Sequence, residues 1–149
     1  MPPPGVGVIG TSLRAAALGM SRRLGLASDD RIALVFPFTH IGGIGWRFAG
    51  LAVGCSQIVI DTFDAEITPR VLAEHGVTQA TAGTAFHQAY LQAQRRDPER
   101  PLFPDVRSFP GGGAAKPPAL HYEIKQELGG AGIVSGYGLT ESGGLVSPV

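Results

Sequence analysis

Two periodicities of apolar residues alternate along this chain. Short runs rich in apolar and β-branched residues occupy positions 32–36, 57–60, 77–82, 106–109 and 133–135. The first of them is apolar at nearly every position, which is typical of a strand covered on both faces of a parallel sheet. The pattern therefore predicts five short strands.

Between these runs, apolar residues recur at helical spacing. In the segment 12–24, for example, Leu13, Ala17 and Met20 repeat at three- to four-residue steps before the stop signal Gly25. Similar signals predict helices over residues 12–24, 41–53, 64–74, 85–95 and 117–128.

The order of these elements indicates the fold class. Strands that alternate with helices of this length form α/β layers around a largely parallel sheet. At 149 residues the chain fits one domain, and we expect no domain boundary inside it. In the helix 41–53, Trp46, Phe48 and Leu51 are expected to pack inward.

Composition narrows the classes of function. Twelve basic and twelve acidic residues give a formal net charge of zero, which favours neither nucleic acid nor an anionic membrane surface as a partner. No apolar run reaches the roughly 18 residues of a membrane span. Cys55 is the only cysteine, so an internal disulfide is excluded and a reducing cytoplasm is favoured. We therefore expect a cytoplasmic protein that acts on small molecules.

Two glycine-rich segments carry the candidate chemistry. The triplet 111–113 follows one predicted strand, and the octet 136–143, Gly-Tyr-Gly-Leu-Thr-Glu-Ser-Gly, follows another. Parallel sheets bind ligands beyond the carboxyl ends of their strands, so the two segments are expected to lie side by side. Glycines allow close backbone approach, while tyrosine, threonine and glutamate offer a stacking face, a phosphate donor and a metal-binding oxygen. In the simpler interpretation, the glycines only make tight turns and Glu141 is a solvated carboxylate.

Three ordered motifs resemble those of one superfamily. The octet resembles the GYGLTE motif of the adenylate-forming enzymes, which include acyl-CoA synthetases, adenylation domains and luciferases. Residues 37–43, Pro-Phe-Thr-His-Ile-Gly-Gly, resemble the PFFHIGG segment of acyl-CoA ligases, and residues 111–115 resemble their adenine loop, GGAP. The resemblance covers almost the whole chain but only the middle of a family member. It implies that residues 1–149 are part of the large N-terminal, AMP-binding domain.

The resemblance also implies roles for individual residues. The implied nucleotide-binding residues are Gly111, Gly112, Gly113, Ala114, Gly136, Tyr137, Gly138 and Thr140. Among them, Tyr137 would pack on the adenine base. Thr140 would contact the α-phosphate and Glu141 would help to hold magnesium, so these two are the catalytic candidates. His40 is expected near the acyl pocket, with a purely structural hydrogen-bonding role as an equal alternative.

The implied activity is a ligation in two steps. A carboxylate attacks the α-phosphate of ATP to give an acyl-adenylate and pyrophosphate, and the thiol of coenzyme A then displaces AMP. The implied partners are a carboxylic acid, ATP with Mg²⁺, and coenzyme A. The apolar segment 41–53 favours a hydrophobic acid over an amino acid, although a peptide-synthetase adenylation domain remains the nearest competitor. A dinucleotide-binding oxidoreductase is disfavoured, because no Gly-x-Gly-x-x-Gly follows the first strand.

Parts of the family pattern are not matched. Pro4 stands where the resembling enzymes carry the lysine of a phosphate loop, and their ribose-binding aspartate, hinge arginine and small C-terminal domain are not found. Two hypotheses therefore stay open: a fragment of an acyl-CoA synthetase that is inactive alone, and a non-catalytic remnant or partner module with at most weak adenine-nucleotide binding. A sheet cut from a larger domain would expose apolar surface, which predicts self-association or missing chain segments.

The remaining reactive side chains have no predicted function. His75, His87 and His121 share no metal-ligand spacing and are expected at the surface or half-buried. Cys55 is expected to be a small core residue rather than a nucleophile.

Overall fold

A computed structural model describes residue 7 and residues 10–148 of the chain. In chain order, the elements are α1 (Gly10–Leu24), β1 (Arg31–Leu34), α2 (Ile41–Val53), β2 (Ser56–Val59), α3 (Thr68–Glu74), α4 (Thr84–Arg96), β3 (Phe109–Gly112), α5 (Pro118–Glu127), β4 (Ile133–Leu139), a 3-10 helix (Thr140–Ser142) and β5 (Gly144–Pro148). The predicted α/β class is confirmed.

The phosphate-loop remnant expected around Pro4 lies outside the described residues. Over the described range, no helix is both long enough and apolar enough to cross a bilayer.

The sheet is largely parallel, as predicted. β1 pairs in parallel with β2, and β3 pairs in parallel with β4. β5, which the sequence pattern did not predict, runs antiparallel to β4. Gln79 links the two groups of strands through parallel bridges to Ile32 and Ser108. The spatial order is therefore β2, β1, the segment around Gln79, β3, β4 and β5.

The predicted strand 77–82 is an extended connector rather than a regular strand. The Ala80 amide donates to the Ser108 carbonyl oxygen at 3.1 Å, as in a ladder, but the Thr81 amide donates to the carbonyl oxygen of Gln79 at 2.9 Å. A hydrogen bond between residues two apart closes a tight local turn. This turn interrupts the ladder, and a pattern of residue types does not reveal it.

The two glycine-rich segments begin inside strands, and this corrects their prediction as loops. β3 starts at Phe109 and includes Gly111 and Gly112, whereas the strand was predicted over 106–109. β4 continues four residues beyond its predicted end at Ser135. Parallel pairing holds Gly111, Gly112 and Gly136 in the ladder, and antiparallel pairing with β5 extends β4 to Leu139. Glycines have low strand propensity, so the sequence gives no signal for these strand ends.

The core is divided between the two sides of the sheet. The larger cluster includes Tyr90 of α4, Phe109 of β3 and Ile124 of α5, which are fully buried. The smaller cluster packs α1 and α2 against β1, with Met20, Trp46 and Ile32 among its members. The smaller cluster forms one wall of the candidate site.

Two side chains of α2 do not pack inward as predicted. Trp46 is 7% exposed, but Phe48 and Leu51 are 43% and 57% exposed. Each helical residue turns by about 100°, so Phe48 lies on the face nearly opposite Trp46. The exposed pair is an apolar surface of the kind that favours association, and self-association of this chain stays a prediction.

Asp30 ties together the amino ends of β1 and β3. Its carboxylate is 1% exposed and accepts hydrogen bonds from the Thr78 hydroxyl at 2.6 Å, the Ala27 amide at 2.9 Å and the Arg107 guanidinium at 2.8 Å. Burial alone would raise the pKa of Asp30, but these hydrogen bonds and the charge of Arg107 together lower it. This network holds the edge of the sheet opposite the candidate site.

Candidate functional site

Two glycines bring the ends of β3 and β4 together at the carboxyl edge of the sheet. Gly111 is in register with Ser135, and Gly112 is in register with Gly136. A side chain at Gly111 would clash with the carbonyl oxygen of Ala82, and one at Gly112 would clash with that of Gly136. Glycine is required at both positions because backbone passes directly over them. The predicted juxtaposition of the two segments is therefore confirmed.

An apolar cleft of about 350 Å³ lies beside the paired segments. α1 contributes Ala16, Met20 and Leu24 to its wall, α2 contributes Trp46, and β3 and β4 form the floor. Gly45 faces α1 with only the Met20 sulfur within 4 Å of where a Cβ would stand, so the two helices can approach each other closely. This apolar cleft has the size and concave, mostly apolar lining of a small-molecule site.

Eight of the ten predicted site residues line the apolar cleft: His40, Gly111, Gly112, Gly113, Gly136, Gly138, Thr140 and Glu141. The other two, Ala114 and Tyr137, do not line it. The fold thus brings together residues from three separate motifs. Their roles toward a ligand stay predictions.

Tyr137 does not line the apolar cleft. The register of β4 with β5 shifts between Tyr137 and Gly138, and within residues 134–139 of β4 only Tyr137 is absent from the cleft lining. Its side chain is 55% exposed. Ala114, also exposed, follows the end of β3. The two predicted contacts of the adenine ring are therefore both exposed and outside the cleft lining.

His40 forms the structural hydrogen bond considered for it, and its role toward a substrate stays a prediction. Its Nδ1 accepts a hydrogen bond from the Gly42 amide at 3.0 Å, which caps the first turn of α2. Its ring stacks on Phe36 with the ring centroids 5.8 Å apart. At the same time, His40 lines the apolar cleft. The cap fixes the ring orientation, so the face that His40 presents to the cleft is preorganised.

Thr140 and Glu141 lie on a single 3-10 turn directly after β4. The turn ends at Gly143, whose φ of 79° is left-handed and so favours glycine. The Ser142 hydroxyl donates to the Leu139 carbonyl oxygen at 2.9 Å, which closes the turn. Both side chains are exposed at the cleft. Among the residues that the structure describes, no group of three or more His, Cys, Asp or Glu residues can hold a metal ion.

Sequence analysis missed the α1 wall of the apolar cleft. Ala16, Met20 and Leu24 lie in the predicted helix 12–24, but the pattern did not predict that any of them lines a site. Arg23 lines the same cleft, although the helical pattern gave no reason to single it out. The available signal was its position on this face, since residues 16, 20, 23 and 24 share one side of a helix.

His87 lies under Gly111 on the side of the sheet that carries α4 and α5. It is fully buried, and its Cε1 is 3.0 Å from where a Gly111 Cβ would stand. Burial, and then the nearby charge of Lys116, lowers the pKa of His87 to about 3. Burial also lowers the pKa of Lys116, whose Nζ is 3.5 Å from the Ser135 hydroxyl. The expectation that His87 is at most half-buried was wrong, because α4 packs this ring against Phe109 and Tyr90.

Cys55 packs against the smaller core cluster, in agreement with the expected core role. Burial, and then the negative charge of Asp30, raises the pKa of its thiol. A raised pKa disfavours the thiolate, so Cys55 is not an activated nucleophile.

Solved structures identify the fold. The chain superimposes on a fatty acyl CoA synthetase of Mycobacterium tuberculosis with a TM-score of 0.86 and 27% identity, covering 97% of this chain and 28% of that one. It also superimposes on the O-succinylbenzoate coenzyme A synthetase MenE of Bacillus subtilis, solved with ATP and magnesium ion, with a TM-score of 0.82 and 23% identity. That match covers 97% of this chain and 29% of MenE. The fold is that of the N-terminal domain of adenylate-forming enzymes.

Sequence comparison then identifies the family. Residues 7–149 match the profile of the AMP-binding enzyme family, and the chain belongs to that family. It is 27% identical over 129 residues to a 2-succinylbenzoate–CoA ligase of Bacillus cereus, covering 86% of this chain and 26% of the relative. It is 32% identical over 110 residues to the 2-methylpropanoate–CoA ligase CCL4 of Humulus lupulus, covering 74% of this chain and 19% of that enzyme. The chain thus spans about a quarter or less of the length of these relatives.

Proposed function

We propose that this chain is part of the N-terminal domain of an ATP-dependent acyl-CoA synthetase that activates a hydrophobic carboxylic acid. One observation carries the proposal: Thr140 and Glu141 lie at an apolar cleft whose floor is the pair of glycine-rich strand ends. The apolar cleft can hold the body of an apolar acid, and the hydroxyl and carboxylate beside it can act on the phosphate to which the acid is joined. Similarity to CoA ligases supports the same reaction class.

The acid is assigned to the apolar cleft. Its walls carry Met20, Leu24 and Trp46, which offer hydrophobic contact to a hydrocarbon or aromatic body. Its carboxylate would then lie toward Gly113 and Thr140, at the carboxyl edge of the sheet. His40 lines the same cleft in an orientation fixed by its cap, and we assign it a role in shaping substrate access.

The nucleotide is assigned to the other side of the strand ends. Tyr137 is exposed outside the cleft lining and offers a face on which adenine can stack. The backbone of residues 111–113 and the side chain of Ala114 would lie along the base and the ribose. This arrangement places the α-phosphate near Thr140, where the cleft and the Tyr137 side of the sheet meet. In this proposal, the acid and the nucleotide bind on different sides of β4.

Each side chain would then act on one part of the reaction. A carboxylate oxygen of the acid attacks the α-phosphorus, and the bond from that phosphorus to the pyrophosphate oxygen breaks. The Thr140 hydroxyl would donate to the α-phosphoryl oxygen that gains negative charge in this step. In the second step, the coenzyme A sulfur, having lost its proton, attacks the acyl carbon and AMP leaves with the electron pair of the broken carbon–oxygen bond.

Magnesium fits this site only as an ion shared with the nucleotide. A bound magnesium would neutralise charge on the phosphates. Glu141 is exposed at the cleft and forms no ion pair within the described residues, so its oxygens are accessible. Because it is a single carboxylate, the other ligands would come from phosphate oxygens and water, as is usual for this ion. We assign the reaction to the cytoplasm, in accord with the unpaired thiol of Cys55.

The assignment of the acid predicts that filling the apolar cleft blocks acid binding. Trp46 is the only tryptophan and lies in the cleft wall, so its fluorescence reports directly on occupancy. We expect a saturable change on titration with a medium-chain acid such as decanoate. Ala16→Phe should weaken this binding by about tenfold or more, because the ring would project into the cleft and occupy the space of the acyl chain.

Ala15→Phe is the matched control, since Ala15 is an exposed residue of the same helix that does not line the cleft. It should leave acid binding unchanged. Equal effects of the two substitutions, or no fluorescence change with any acid, would contradict the assignment of the cleft. Circular dichroism of each variant verifies that the helices are retained.

A further inference from the structure

One charged side chain lines the apolar cleft at a distance from the catalytic candidates. Arg23 belongs to the last turn of α1 and lines the cleft together with Met20 and Leu24. Nothing in the predicted chemistry uses it, because the reacting carboxylate and the phosphates are assigned to the opposite end.

The direction of α1 places Arg23 toward the far end of the cleft. The carbonyl oxygen of Gly25, the residue after the helix, accepts a hydrogen bond from the Arg107 guanidinium at 3.1 Å, and Arg107 lies just before β3. The carboxyl terminus of α1 is therefore at the amino edge of the sheet, whereas Thr140 follows the carboxyl end of β4. Within the cleft wall, Ala16 and Arg23 are seven residues apart, which corresponds to about 10 Å along the helix axis.

Arg23 has no acidic partner in the part of the chain that the structure describes. The ion pairs there involve Arg31, Arg95, Arg96 and Arg107, and none involves Arg23. The other ionisable residues that line the cleft are His40 and Glu141, which lie at its carboxyl-edge end. The helix dipole stabilises a positive charge in the last turn of a helix. Arg22, next to Arg23, already provides such a charge. The dipole does not account for a guanidinium in the lining of an otherwise apolar cleft.

We propose that the acid activated at this site carries a second carboxylate at the end remote from the reacting one, and that Arg23 binds it. The substrate class is then a dicarboxylic acid whose two carboxylates are separated by an apolar body. A guanidinium binds a carboxylate through two parallel hydrogen bonds, which gives the pair directional specificity. The inference rests on the proposed function, since it names the substrate of the same cleft.

Trp46 fluorescence tests this with two acids that differ only in the distal carboxylate, decanedioate and decanoate. The unmodified chain should bind decanedioate more tightly. Arg23→Met keeps most of the length of the side chain and removes its charge, so it should weaken decanedioate binding by about tenfold and leave decanoate binding unchanged or stronger. Arg22→Met, on the same exposed turn but outside the cleft lining, is the matched control and should change neither affinity.

The outcomes separate this inference from the proposed function. If decanoate binds but decanedioate does not, or if Arg23→Met and Arg22→Met have equal effects, the distal carboxylate site is overturned and the acid cleft stands. If neither acid alters Trp46 emission, the proposed function itself fails and the inference fails with it. Arg23→Lys should recover part of the preference for decanedioate, because it restores the charge without the two-pronged geometry.

Discussion

Replacing Tyr137 by alanine should weaken the binding of ATP and AMP by about five- to 150-fold, the range that corresponds to the loss of one stacked aromatic ring. The tyrosine is exposed and does not line the apolar cleft, so its loss should remove the proposed platform for adenine without altering the proposed acid site. Because stacking does not involve the metal, the loss should be the same with and without magnesium. Isothermal titration calorimetry with each nucleotide measures it.

Glu141→Ala is the companion substitution and should behave differently. It should weaken ATP binding chiefly when magnesium is present, because the carboxylate acts on the nucleotide only through the ion. Tyr137→Phe retains the ring and should bind nearly as the original chain does. Equal losses for Glu141→Ala in the presence and absence of magnesium would exclude its metal role. Unchanged affinity in both alanine variants would mean that the octet is only a strand end and a turn.

The second large effect concerns stability and is expected at Asp30. Asp30→Ala should lower the free energy of unfolding by about 2 to 4 kcal/mol, because it leaves the Thr78 hydroxyl and the Ala27 amide without their acceptor and Arg107 without its partner. The larger losses of stability that follow from breaking a fully buried ion pair are not expected, because the Arg107 side chain is 48% exposed. Urea denaturation followed by circular dichroism measures the change.

The same residue gives the fold a predicted dependence on pH. The pKa of Asp30 is lower in the folded chain than the ordinary value for aspartate, so its contribution is fully present above that ordinary value and is lost as the pH falls toward the lowered pKa. The original chain should therefore lose more stability than Asp30→Asn between about pH 5 and pH 2. Asp29→Asn, at an exposed neighbouring position, is the control. A parallel acid dependence in the original chain and Asp30→Asn would contradict this role for the carboxylate.

The α/β alternation was predictable from sequence because buried strands and amphipathic helices have distinct apolar periods. The helix 117–128, for example, was predicted almost at its observed limits, Pro118–Glu127, since its prolines, apolar face and final glycines all indicate the same element. The strand ends were less predictable. Gly111, Gly112 and Gly136 have low strand propensity, and only the pairing of β3 with β4 places them in the sheet.

The candidate site was predictable only where motifs mark it. The glycine segments and the segment containing His40 were located by sequence and meet in the structure. The wall formed by α1 has no motif, since the core and a cleft need the same apolar residues. Which side of β4 faces the cleft also depends on strand register, which a one-residue shift would invert. Sequence therefore named Tyr137 without indicating that it lies outside the cleft lining.

The separation of the two substrates by β4 is the central claim, and NMR chemical-shift perturbation tests it most directly. The indole N–H of Trp46 gives a single resonance of its type, because the chain contains one tryptophan. Decanoate should shift this resonance, whereas AMP should leave it nearly unchanged and should instead shift the amides of Ala114 and Tyr137. Displacement of the Trp46 resonance by AMP to the same extent as by decanoate would contradict the account, because it would place both ligands in one cleft.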